Sequence, residues 1–392
     1  MAEIVVKKYI LRVMSPIYVG YSDVYEPFNF VVDPDSSHMY YIDIEKFLLY
    51  LTDKDRQTIF EISKNTSSYS LVKFYRFMNS KLDYVKSHPK IILRKIKICS
   101  GFYDHYKKIL NLSPSDTKQI NQFLITMLSY NVNLNQPIIP GSSIKGSIRT
   151  AILNYYSNQV PRNIDDDRFL QKKILGYKYV NEDPLKYLKV SEFLPKKVNT
   201  KIVYAVNLKK DGNNTSTPYQ ISEVIETGSE FEGTISVINV NNVAKKISHE
   251  IVEKALRDFY TSILQEEEKI YNKLSTKIPV CYRGIPLKIG RHSGAEAMTV
   301  EGFRKIRIKK GRKASYIANK TTTMWFASEK RKNFLLNSLE PFAWAEIWDQ
   351  EVKKEGSSKK KTGLKKDKSK VSAKKQTLDL SALSGKYRIR RK

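Results

Sequence analysis

The residues best suited to take an anion lie between Ile139 and Ile152, in the run Ile-Pro-Gly-Ser-Ser-Ile-Lys-Gly-Ser-Ile-Arg-Thr-Ala-Ile. Pro140-Gly141 interrupts the chain, and Ser142 or Ser143 is placed to cap the helix that follows. Ile144, Ile148, Ile152 and Tyr155 recur at helical spacing and form its buried stripe. Lys145 and Arg149 then share another face, four residues apart. Alone, two like charges at that spacing repel by about a few tenths of a kcal/mol. An anion held between them turns that cost into a gain, and the N–H groups of the helix start attract phosphate. Gly146 inside the helix costs about 1 kcal/mol relative to alanine, which predicts a close neighbour against the backbone there. The bland reading is a surface helix with two solvated bases. A nucleotide-hydrolysing phosphate loop is excluded, because that loop needs lysine directly after its second glycine and Ser147 stands there.

Two further segments could approach a phosphate or ribose. Ile289 to Glu296 contains Gly290 and Gly294, whose freedom lets a backbone come close to Arg291, His292 and Ser293; a plain turn fits the same residues. Ser15-Pro16-Ile17-Tyr18-Val19-Gly20-Tyr21 follows the first strand directly. Acid–base chemistry is less well served. The five histidines, His38, His88, His105, His249 and His292, show no pairing pattern, although metal-free RNA cleavage needs groups that exchange protons. Asp165-Asp166-Asp167, the one acidic run, reads as a solvated loop. The sequence is thus expected to encode no catalytic residue, metal site or cofactor, with a ribonuclease as the alternative.

The elements that must position these residues alternate between strands and helices. Ile4 to Met14 reads as a strand with Tyr9, Leu11 and Val13 on one face, and Phe28–Val32 with Met39–Ile42 as a hairpin. Asp43 can cap a helix from Ile44, and Ser113-Pro114-Ser115-Asp116 reads as another helix start. The stretch 44–130 is expected to be a helical insertion. Strands return at Lys201–Val206 and Glu230–Val240, and a long helix follows Ser248 with Val252, Leu256, Phe259, Ile263, Ile270 and Leu274 on one stripe. This order implies an α+β antiparallel sheet domain of the ferredoxin-like kind over residues 1–352.

Composition narrows the partner. The 392 residues hold 69 Lys plus Arg against 40 Asp plus Glu, a net charge of +29. Residues 353–392 contribute +13 of this, which leaves +16 for residues 1–352. The body is therefore basic without its lysine-rich tail, which is expected to be disordered, and a polyanion is the expected ligand. Two cysteines without a CxxC pair fit a reducing compartment. No secretion signal is read at the start. The uncharged stretch from Gln119 to Ile144 carries asparagines and prolines that a bilayer core rejects. The reading is cytoplasmic, with no membrane partner.

Taken together, Ser15–Gly20, Pro140–Ile152 and Gly290–Gly294 resemble the RAMP superfamily of CRISPR effector subunits. The order that adds Glu26-Pro27-Phe28 and Tyr41 to Phe47 is most similar to the fifth Csm subunit of type III-A complexes. The resemblance runs over nearly all of residues 4–350; Glu192 departs from the aspartate frequent in that family, and the tail has no counterpart. It implies an RNA-recognition-type sheet in a CRISPR antiviral defence particle. Its implied partners are the guide RNA, the other Csm subunits and host nucleases. It implies a non-catalytic subunit that binds the guide backbone, closes the particle at the guide's 3′ side and contributes to guide maturation. By motif match, Gly141, Ser142, Ser143, Lys145 and Arg149 would contact that backbone. Related filament subunits cut target RNA with a loop aspartate, but neither Asp23 nor Asp33 is given that role here.

Overall fold

The computed structural model describes residues 3–351, apart from 22, 66, 117–119, 121–122, 162–166, 216, 242 and 311–313. The tail and Asp165 and Asp166 of the acidic run lie outside the described residues. The first strand, Glu3–Val13, is β-branched and alternating, and it pairs along its length with Glu230–Asn239, Leu11 lying opposite Phe231. Its other edge takes Trp344–Asp349. The full order of this antiparallel sheet is Ile285–Lys288, Trp344–Asp349, Glu3–Val13, Glu230–Asn239 and Leu188–Val190, with Leu194–Lys197 also on Glu230–Asn239. Tyr9, Leu11 and Val13 point with Phe231, Ile235 and Val237 into one core. The helices Gly141–Tyr156 and His249–Leu274 cover that face with Ile144, Ile148, Ile152, Val252, Leu256 and Phe259. Burying those side chains is what holds both helices on the sheet.

Caps follow the sequence closely in places. Asp43 accepts from the Lys46 N–H at 3.2 Å, and Ser248 accepts from the Ile251 N–H at 3.3 Å, where the long helix begins. At Ser113 the hydroxyl instead donates to the Asp116 carboxylate at 2.9 Å, and positions 117–119 lie outside the described residues.

A second sheet runs Glu340–Pro341, Thr323–Ser328, Thr200–Lys209, Ile92–Ile98, His38–Ile42 and Phe30–Asp33. Gln220–Ile225 also pairs with Thr200–Lys209, and Ile125–Thr126 with Gln220–Ile225. The expectation for 44–130 therefore needs correction. Among the described residues of this stretch there are five α-helices, but Ile92–Ile98 sits inside the second sheet, between His38–Ile42 and Thr200–Lys209. Its alternation, with Ile96 and Ile98 buried between exposed Lys95 and Lys97, is a strand period short enough to be lost among helical neighbours.

A buried ion pair joins the long helix to the first sheet. Lys288 Nζ donates to both carboxylate oxygens of Glu267 at 2.7 Å, and Trp344 Nε1 donates to the same carboxylate at 3.0 Å. The Tyr271 hydroxyl completes the group. Because Ile148 is fully buried between the Gly141–Tyr156 helix and this core, Ile148→Ala should cost about 2–4 kcal/mol of stability. Chemical denaturation would read it as a lowered midpoint at unchanged slope.

Candidate nucleic-acid interface

The helix of the Pro-Gly-Ser-Ser segment begins at Gly141, with Pro140 at the N-cap and no side-chain cap hydrogen bond. Ser142 and Ser143 lie inside the first turn, so the expectation that one of them caps the helix is corrected. The first N–H groups of such a turn have no partner within the helix. Ile139 fixes the approach by pairing with Phe193 in both directions, at 3.1 and 2.9 Å. A Cβ on Gly141 would stand 2.3 Å from the Val190 oxygen and 2.5 Å from that of Ser191. Only glycine lets the helix start sit this close to the sheet edge. Gly146 behaves differently from expectation: a Cβ there would meet nothing within 4 Å. No protein atom crowds it, and the helix is open on that side.

Lys145 and Arg149 are not a pair of free cations. Arg149 donates to Gln171 Oε1 at 3.1 and 2.7 Å and to Asp183 Oδ2 at 2.9 Å. Its charge is matched inside the protein, and neither Gln171 nor Asp183 is near it in sequence, which hid the pairing. Lys145 is half-buried and, among the described residues, donates only to a neutral acceptor, the Leu188 carbonyl, at 2.7 Å. Burial lowers its pKa, and Lys189 and Arg149 lower it further against the pull of Asp183. Lys189 is a neighbour that the sequence reading missed, because it arrives from the edge strand Leu188–Val190.

The other two segments meet. Gly290 has φ of +85°, and a Cβ on it would lie 2.3 Å from the Tyr18 carbonyl oxygen. The Arg291 N–H donates to that same oxygen at 2.9 Å. The Ser147 hydroxyl donates to Lys288 O at 2.6 Å, linking the Gly141–Tyr156 helix to the strand that leads into the loop. All three segments thus belong to one connected structure. Within the loop, Arg291 is exposed, whereas the Ser293 hydroxyl is turned inward to Gly290 O at 2.6 Å. His292, at φ +68°, packs on Trp325 at 4.4 Å and Phe342 at 5.0 Å between ring centroids. Burial and the adjacent Arg291 push its pKa down to about 4. Of the loop residues proposed from sequence, only the Arg291 side chain faces outward.

The remaining candidates have structural engagements. His105 hydrogen-bonds Tyr204 at 3.1 Å, His249 lies 3.2 Å from the Tyr9 hydroxyl, and His88 stacks on Tyr84. Asp33 is buried and receives hydrogen bonds from Ser36 and Tyr40 at the hairpin turn. Among the described residues no group of three His, Cys, Asp or Glu side chains could hold a metal ion, and no helix is long and apolar enough to cross a membrane.

A model of the RAMP superfamily matches residues 11–291. The chain belongs to the RAMP superfamily. The match takes in the whole helix start, Ser15–Tyr21 and the Gly290-Arg291 step. A curated relative from Methanocaldococcus jannaschii, described as the CRISPR system Cms protein Csm5, is 28% identical over 200 residues. That match covers 47% of this chain and 41% of the relative, so the chain spans less than half of the relative's length in that comparison. A chain in the cryo-EM structure of a Csm–crRNA–target RNA ternary complex from a type III-A CRISPR-Cas system is similar at a TM-score of 0.57 and 17% identity. It covers 88% of this chain and 100% of that one. The crystal structure of T. onnurineus Csm5 is similar at a TM-score of 0.50 and 16% identity, over 86% and 99% of the two chains. These likenesses are of fold, and they agree with the α+β ferredoxin-like class expected of a RAMP protein.

Two outcomes follow from this geometry. Arg149→Ala should lower stability by about 1–2 kcal/mol, because Asp183 loses a charge-assisted partner in a half-buried site; a melting curve measures it. His292 has a folded pKa below its unfolded value, so the unfolded chain binds more protons between pH 6.5 and about 4. Stability should therefore fall as pH drops through that window, and His292→Gln should flatten the fall measured by denaturation at stepped pH.

Proposed function

We propose that this RAMP protein is a non-catalytic subunit that binds the backbone of a CRISPR guide RNA and caps its 3′ end in a type III-A Csm complex. By holding that end it contributes to guide maturation, and its partners are the guide, neighbouring Csm subunits and the host nucleases that trim the guide. Lys145 is the observation that carries this reading. It is a half-buried ammonium with the cations Lys189 and Arg149 and the single carboxylate Asp183 around it, and its hydrogen-bond acceptor is a neutral carbonyl. A phosphate oxygen would supply the missing negative charge. Beside it lie the Gly141 and Ser142 N–H groups at the helix start, the exposed Ser142 side chain, and Gly146, which leaves the backbone open to a strand of RNA. Arg291 adds a second exposed cation, and the +16 charge of residues 1–352 favours any polyanion.

Arg149 enters this reading as a positioning residue: held by Gln171 and Asp183, it keeps Lys145 short of negative charge. Ser143, His292 and Ser293 contribute through the backbone and packing of their segments. The non-catalytic part rests on the scattered engagements of the five histidines. Residues 1–352 are proposed as one RAMP domain, with 353–392 as a basic arm that adds sequence-independent attraction.

Lys145→Ala should lower affinity for a labelled guide RNA by about 1–2 kcal/mol while the melting temperature stays within error. Deleting 353–392 should flatten the dependence of affinity on salt through fewer released counterions. An Arg291→Ala variant should share the first effect. Full guide affinity in both point variants would sink the interface. RNA turnover by the purified chain with Mg²⁺ or Mn²⁺, lost in an Asp165, Asp166 and Asp167 triple variant, would overturn the non-catalytic assignment.

A further inference from the structure

A cavity of about 420 Å³ opens beside the strand pair Thr200–Lys209 and Thr323–Ser328. Asn207, Thr215, Tyr219, Arg331, Lys332 and Phe334 are among its lining residues, and no carboxylate is. Arg331 is half-buried, and one of its terminal nitrogens donates to His105 Nε2 at 3.0 Å and to the Tyr219 hydroxyl at 3.2 Å. Both acceptors are neutral; burial, with the charges of Arg331 and Lys108, pushes the His105 pKa down to about 3. Among the described residues Arg331 has no acidic partner, so a guanidinium with N–H groups to spare faces a polar cavity unneutralised. Lys332 at the same rim adds a second cation. Tyr219 and Phe334 offer aromatic surface, and the buried Asn207 offers an amide.

Cations without carboxylates select an anion, and rings beside amides and hydroxyls select a planar heterocycle. We propose that this cavity takes one nucleotide of a single-stranded RNA, its phosphate on Arg331 and Lys332 and its base against Tyr219 and Phe334. Strand pairing and ring packing link the cavity to the Gly290 loop. Asn207 lies opposite Trp325 in the strand pair, and Trp325 packs on His292 of the Gly290 loop. The inference rests on the chain being an RNA binder, but it uses none of the residues that carry that reading.

The test uses the full chain and a single-stranded guide-length RNA bearing 4-thiouridine. Photocrosslinks mapped by mass spectrometry should fall on Tyr219 or Phe334. Arg331→Met and Phe334→Ala should each lower RNA affinity by about tenfold, and either should add to Lys145→Ala, as distant contacts do. Arg331→Met also strips His105 of a donor, so Phe334→Ala, at the half-exposed rim, decides the matter if the arginine variant melts early. Wild-type RNA binding with no crosslink in the cavity and unchanged affinity in Phe334→Ala would overturn the site while leaving the Lys145 interface standing. Loss of adenosine monophosphate binding in Arg331→Met, with RNA affinity intact, would assign the cavity to a free nucleotide and equally overturn it. A wild-type chain that binds no RNA would remove both proposals together.

Discussion

The Lys288–Glu267 pair is the constraint on which the arrangement of this protein depends. Both groups lie in a core where an unpaired charge costs several kcal/mol, and the pair is held by good geometry and by the added donors of Trp344 and Tyr271. Its partners come from the long helix, the edge strand Ile285–Lys288 and the strand Trp344–Asp349. Satisfying one carboxylate therefore fixes three elements at once. Removing one partner would leave the other charge buried and unpaired, a penalty that hydrophobic contacts around it could not offset. The pair specifies a position more than it adds stability.

That position is then passed outward through the backbone. The Lys288 carbonyl receives the Ser147 hydroxyl, and two residues later Gly290 turns against the Tyr18 carbonyl. The three segments that resemble RAMP motifs are separated by more than a hundred residues, yet hydrogen bonds join them through the strand Ile285–Lys288 and the loop that follows it. Each contact is a close approach of backbone to backbone or hydroxyl to carbonyl. Such contacts tolerate little displacement, which suits a surface proposed to match a regular phosphate backbone.

Charge is arranged by the same logic. The chain carries a large positive excess, but its cations are not equivalent. Arg149 is consumed by Asp183 and Gln171, whereas Lys145 and Arg331 point at neutral acceptors. Cations held in place without a counterion gain most from an incoming phosphate, because their own desolvation has already been met by folding. Solvated lysines give long-range attraction that salt screens; held ones give position.

The sequence by itself determined the periodic elements and the balance of charge. Tyr9, Leu11 and Val13 face the core as their alternation required, the long helix begins at Ser248's cap, and the net charge pointed to a polyanion. Those features are local or summed over the chain, so they are readable without distances. The sequence misplaced what depends on who arrives from elsewhere. Gly146 suggested a tight contact but faces open space, while the crowded position is Gly141, against Val190 and Ser191. Ile92–Ile98 hid among helices because its sheet partners lie at His38–Ile42 and Thr200–Lys209. Arg149 looked like half of a phosphate clamp until Asp183, 34 positions away, was brought beside it. Local propensity follows from each residue's own backbone and side chain, whereas the pairing of a charge follows from which distant groups the core places next to it, and only the tertiary structure decides that.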